Sequence, residues 1–121
     1  MSVAAALLSI ALFLAFASAG AQKIVFNPAM SAAADHLGFR KRTYQYIGGL
    51  EVLGGIAMLV GLAAKGTSAL ALLNEVGAGG LFLMMALAVT FHLRKGDAAK
   101  YYTPALALGV LALVELVFRL A

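Results

Sequence analysis

Long apolar runs separated by short polar connections dominate this chain. Four runs stand out, at 3–26, 43–64, 67–91 and 103–121. Each is close to the ~20 residues an α-helix needs to cross the hydrocarbon of a bilayer. None shows the period-two alternation of a membrane strand, so the pattern predicts helices and argues against a barrel. The connection around Lys65-Gly66-Thr67-Ser68 is short, which makes the runs on either side of it antiparallel neighbours. The expected architecture is an all-α, polytopic membrane protein, an antiparallel four-helix transmembrane bundle forming one domain over 1–121.

The polar connections assign the two ends. After the first run, Asn27-Pro28 is a helix-stopping pair, and a loop follows with Asp35, His36, Arg40, Lys41 and Arg42. Arg94, Lys95 and Lys100 lie between the third and fourth runs, and Lys23 ends the first. Seven of the nine basic residues therefore fall at one end, and only Lys65 and Arg119 at the other. The positive-inside rule puts both basic loops in the cytoplasm and both termini outside. Tyr44, Tyr46, Tyr101 and Tyr102 fall at the same basic end and read as an interfacial aromatic belt. Ala17-Ser18-Ala19 fits a signal-peptidase site, but no basic segment precedes the apolar run, so an uncleaved first helix is expected.

Composition removes the main alternatives. The chain is 64% hydrophobic and 12% charged, with a mean hydropathy of +0.99. A soluble domain is roughly half apolar and about a quarter charged, so in water this chain would expose large apolar patches. The absence of cysteine removes disulfides, thiol nucleophiles and cysteine-ligated metals. A net charge of +4 is explained by orientation in a membrane, and there is no basic helical face for nucleic acid. No dinucleotide fingerprint, phosphate loop or nucleophile–base pairing is present, so no catalytic residue is designated.

Chemistry is then sought among the polar residues inside the apolar runs, since a carboxylate at the bilayer centre costs roughly 2.5–3.5 kcal/mol on insertion scales. Glu51 sits among Gly48, Gly54 and Gly55 at helical spacing, which turns it toward another helix. Lys23 approaches from the same end beside Gly20, so a Lys23–Glu51 contact is expected, either as a register-fixing ion pair or as part of a ligand site. Glu75, beside Asn74, comes out at a depth comparable to Glu115. If the two face each other, one would hold a proton. The favoured alternative has Glu115 pairing with Arg119 and reaching outward. His92 reads as a cap on helix carbonyls or as a hydrogen-bond partner for a ligand. With His36 in a distant loop as the other imidazole, no metal site is expected. Met58, Met84 and Met85 read as core packing.

The ordered segments "FASAGAQKIVF", "YIGGLEVLGGIAMLVGL" and "ALAVTFHLRKGD" resemble the DoxX-like family of four-helix membrane proteins. The resemblance covers nearly the whole chain and implies a bundle in a bacterial cytoplasmic (inner) membrane. Members of that family have been linked to membrane-associated oxidoreductase complexes and sulfur-compound oxidation, and distant eukaryotic relatives act as membrane chaperones or cargo receptors. The positions carried over are Gly20, Lys23, Glu51, Gly54, Gly55 and His92. Without cysteine, a redox role would be that of an accessory or quinone-binding subunit, since the chain transfers no electrons without a bound cofactor.

Three functions follow as expectations. The first is an accessory or assembly subunit of a membrane complex, with Gly20, Gly48, Gly54 and Gly55 as helix-packing positions and a homodimer among the arrangements. The second is a site for a quinone or another small lipophile around Glu51, Lys23 and His92. The third is a proton-coupled small transporter, against which stand an acid-free first run and the strong charge bias. The lipid bilayer is the one partner all three share.

Overall fold

The computed structural model describes residues 3–62 and 69–120, with Leu70 described by its backbone alone. Among these, all regular structure is helical: α1 (Val3–Val25), α2 (Pro28–Leu37), α3 (Lys41–Leu62), α4 (Ala69–Arg94) and α5 (Ala99–Leu120). All except α2 are long and apolar enough to span a membrane. The spans run up and down, with α1 against α3, α3 against α4, α4 against α5, and α5 closing back on α1. The protein is an antiparallel four-helix transmembrane bundle. The expected connection at 65–68 and the outer ends of the runs beside it lie outside the described residues.

The first loop is where the structure departs from the expected pattern, because a ten-residue helix, α2, fills it. Phe26 ends α1 in the left-handed region (φ 57°), its N–H bonding the Gln22 carbonyl as in an αL cap. Asn27 then starts the next helix. Its side chain accepts from the Met30 N–H at 2.9 Å, and Pro28 occupies the first helical position, where its missing N–H costs nothing. Thus Asn27-Pro28 stops one helix and starts another. Two glycines close the local geometry. Gly38 (φ 83°) and Gly96 (φ 71°) each complete a Schellman turn, with Phe39 N–H on Ala34 O and Asp97 N–H on His92 O.

The fourth span also begins earlier than expected, at Ala99 rather than near 103. Pro104 lies inside it, lacking an N–H for the helix ladder. The residue before it, Thr103, donates its hydroxyl to the Ala99 carbonyl at 2.6 Å.

Most of the large aliphatics face outward, unlike those of a soluble protein. On α1 the buried positions are Ala5, Ser9, Leu12, Phe16 and Gly20, while Val3, Leu7, Ile10 and Leu14 point outward. On α3 the inward face is Tyr44, Gly48, Glu51, Gly55, Met58 and Gly61, and Leu50, Leu53, Ile56 and Leu59 are exposed. Lipid solvates the large aliphatics, so small and polar residues are left to pair the helices. α1 and α3 approach most closely at Gly20 and Gly48: a Cβ on Gly20 would collide with the Gly48 carbonyl oxygen, and one on Gly48 would lie 2.6 Å from the Gly20 oxygen. Across the middle, Leu12, Phe16, Met58, Ala78, Leu81, Met85 and Ala112 form the apolar core.

Candidate functional site

Between that core and the basic end, the bundle opens into a cavity of about 520 Å³, within the range of about 300–1,000 Å³ typical of small-ligand sites. Phe16, Met84, Met85 and Phe91 supply apolar wall from the spans, Met30 and Leu37 of α2 lie against its mouth, and Pro104 of α5 closes one side. The polar side chains that line this apolar space are Gln22, Lys23, Tyr44, Glu51, His92 and Tyr101.

Lys23 and Glu51 meet. Lys23 Nζ lies 2.8 Å from Glu51 Oε1, with Glu51 1% exposed and the lysine 17%. The close Gly20–Gly48 approach brings α1 and α3 near enough for this, one turn from each residue. The second carboxylate oxygen, Glu51 Oε2, is buried and has no hydrogen-bond partner. Tyr44 turns inward beneath the lysine, whose Nζ stands 5.6 Å from the ring centroid. It is 6% exposed, whereas Tyr46 is 72% and Tyr101 57% exposed, so the expected tyrosine belt loses this member to the interior.

His92 is held by a residue to which the sequence assigned no role. Its Nδ1 lies 2.7 Å from Asp97 Oδ2, and the other oxygen of the same carboxylate lies 2.7 Å from Nε2 of His36 on α2. The two imidazoles, far apart along the chain, are therefore joined through one aspartate. The Schellman turn at Gly96 folds Asp97 back onto His92, and the one at Gly38 ends α2 just beyond His36. The hydrogen bond from His92, opposed by desolvation and reinforced by His36, holds the Asp97 carboxyl below the usual carboxylate range. An ionised carboxylate only accepts, so His92 donates through Nδ1 and presents Nε2 as its remaining polar atom. The bond that the ring makes is thus to the Asp97 side chain. Among the described residues, no group of three or more His, Cys, Asp or Glu could hold a metal ion.

The remaining candidates gather near the opposite end, beyond the core. Asn74, rather than Glu75, points inward. It is fully buried, while Glu75 is half-buried. Adjacent helical residues diverge by about 100°, so both cannot face the interior. Glu115 also points inward, with no exposed surface, and accepts from the Ser9 hydroxyl at 2.8 Å; it does not reach outward as expected. Arg119 donates to the Gly61 carbonyl at 3.3 Å, filling one of the acceptors that the end of α3 leaves open. Of the expected packing glycines, a Cβ on Gly54 would lie 2.8–3.3 Å from the Leu81 side chain, whereas one on Gly55 would meet Phe13 only at ordinary contact distance. Gly61 against Asn74 and Gly77 against the Gly54 carbonyl are tighter than Gly55 and meet backbone atoms.

The sequence profile of the DoxX-like family matches residues 7–114. The chain belongs to the DoxX-like family. The match takes in the cavity and every residue that lines it, together with most of the second polar cluster. No curated protein and no solved structure matches this DoxX-like chain.

Proposed function

We propose that this DoxX-like protein binds a small amphiphile, an apolar ring or chain bearing a carbonyl or hydroxyl head, with quinones within that class. The observation that carries the reading is the unpartnered Glu51 Oε2 in an apolar cavity that Lys23 and His92 also line. A buried acceptor without a donor is costly, and a hydroxyl entering the cavity supplies one. Lys23 spends one N–H on Glu51 and keeps others for a carbonyl, and Nε2 of His92 is a further hydrogen-bonding atom. The lipid-facing aliphatics and the positive-inside rule support a bacterial cytoplasmic membrane, with the basic end in the cytoplasm and the cavity opening toward that side.

Native mass spectrometry of protein released from mild detergent tests this reading. The wild type is expected to carry a bound small molecule. Glu51→Gln should deplete it roughly tenfold or more, the effect of losing a hydrogen bond to a charged group, without loss of the fold. A protein that flies bare in both forms, after release from its own membrane, would sink the proposal.

An accessory or assembly role in an oxidoreductase complex is the second reading. Gly20, Gly48 and Gly54 are occupied within the bundle, but Gly49 and Gly80 meet nothing within 4 Å. They leave small-residue surface where another membrane helix, or a second copy, could approach closely.

A further inference from the structure

The interior holds a second polar site that the cavity does not use. Each span contributes one group: Ser9 from α1, the Met58 carbonyl from α3, Asn74 from α4 and Glu115 from α5. The three side chains have no exposed surface. Their donors are all spent. The Ser9 hydroxyl goes to Glu115 Oε1 at 2.8 Å. The two amide hydrogens of Asn74 go to Ser9 Oγ at 3.0 Å and to the Met58 carbonyl at 2.9 Å. Two acceptors are left over, Asn74 Oδ1 and Glu115 Oε2, both buried and without a partner.

Orphaned acceptors of this kind are rare in folded proteins, and an acid among them raises the cost. A second hydroxyl or amide in place of the acid would pair the helices without leaving a carboxyl oxygen bare. What the two oxygens lack is a hydrogen-bond donor or a bound cation. We propose that Ser9, Asn74 and Glu115 form a binding site for one small monovalent cation, a proton or a sodium ion, held at Glu115 Oε2 and Asn74 Oδ1. Carboxylate, amide and hydroxyl oxygens are the ligands that hard cations take, and a proton on Oε2 needs only an acceptor such as Oδ1. The charged groups nearby are Arg119 on α5 and Glu75 on α4; among the described residues, α1 and α3 bring no titratable group to this site. The apolar core lies between it and the cavity, so this inference stands apart from the amphiphile reading.

Two measurements on the detergent-solubilised protein separate the two cations. Thermal unfolding is followed in sodium chloride and in choline chloride at equal ionic strength and pH. Infrared spectra are recorded on protein with ¹³C-labelled glutamate side chains. A sodium site gives a Tm several degrees higher in sodium, lost in Glu115→Gln. A proton site gives no sodium response but a carboxylic-acid C=O band at neutral pH, removed by Glu115→Gln and retained in Glu51→Gln. If Glu115→Gln does not fold, Ser9→Ala takes its place, since losing the hydroxyl on Oε1 must shift that band or weaken the sodium response. A wild-type protein with neither a sodium response nor an acid band overturns the proposal. So does an acid band that follows Glu51 instead of Glu115.

Discussion

Gly48 and Gly49 are neighbours in the chain with opposite surroundings. A Cβ on Gly48 would lie 2.6 Å from the Gly20 oxygen and 2.7 Å from the Lys23 Cβ, while one on Gly49 meets nothing within 4 Å. Gly48→Ala should therefore push α1 and α3 apart, destabilising the bundle by about 1–3 kcal/mol as overpacking does, and should loosen the Lys23–Glu51 pair beside it. Gly49→Ala should be neutral or slightly stabilising, because alanine is the better helix former. Unfolding in mixed detergent micelles compares the two, and equal losses would refute the backbone-contact reading. At this scale the sequence is informative where two residues share an end and a depth: Lys23 at the close of one run and Glu51 inside the next had few other partners available. It is uninformative between Asn74 and Glu75. Both lie in an apolar run on a helix with hardly any amphipathic bias, and rotation of the helix by one residue exchanges them.

Among the elements, α2 shows how a local signal can be read only in part. Asn27 and Gly38 flank PAMSAAADHL, which Pro28 opens, and these are a helix's opening and closing residues. Read only as a stop, Asn27-Pro28 hides the helix it begins. The consequence reaches the cavity, since Met30, Ala33 and Leu37 of α2 line it and α2 packs only lightly on α3. The His36–Asp97 bond anchors it at one end. Asp97→Ala should speed amide hydrogen exchange across Pro28–Leu37 while leaving the spans protected. Acid should act the same way. Because the folded-state pKa of Asp97 is depressed, its contribution is complete above the ordinary carboxylate value of about 4 and is lost as pH falls through the lower, folded value. Exchange in α2 that ignores both the substitution and acidification would show that the aspartate does not anchor the helix.

For the molecule as a whole, membrane spanning was the most legible property, because four apolar runs of sufficient length leave few alternatives. The assignment of which polar residues meet was less legible, because it depends on helix rotation that aliphatic runs do not encode. Orientation can be tested directly, and a chain without cysteine makes the test clean. Ala32→Cys, at an exposed position on α2, should react with a membrane-impermeant maleimide in inverted vesicles and stay unlabelled in intact spheroplasts. The reverse result would turn the protein over.

The apolar layer of Leu12, Phe16, Met58, Ala78, Leu81, Met85 and Ala112 has an electrical meaning. It is a stretch of interior built of apolar side chains, with a lower dielectric response than the polar sites on either side, so a transmembrane voltage falls most steeply across it. The Lys23–Glu51 pair and the Glu115 cluster stand on opposite plates of this small capacitor. A charge reaching either one crosses only a fraction of the field, and so feels only part of the ~2.3 kcal/mol that 100 mV imposes on a full crossing. Binding at either level should depend weakly on membrane potential, and ions should not leak through the bundle.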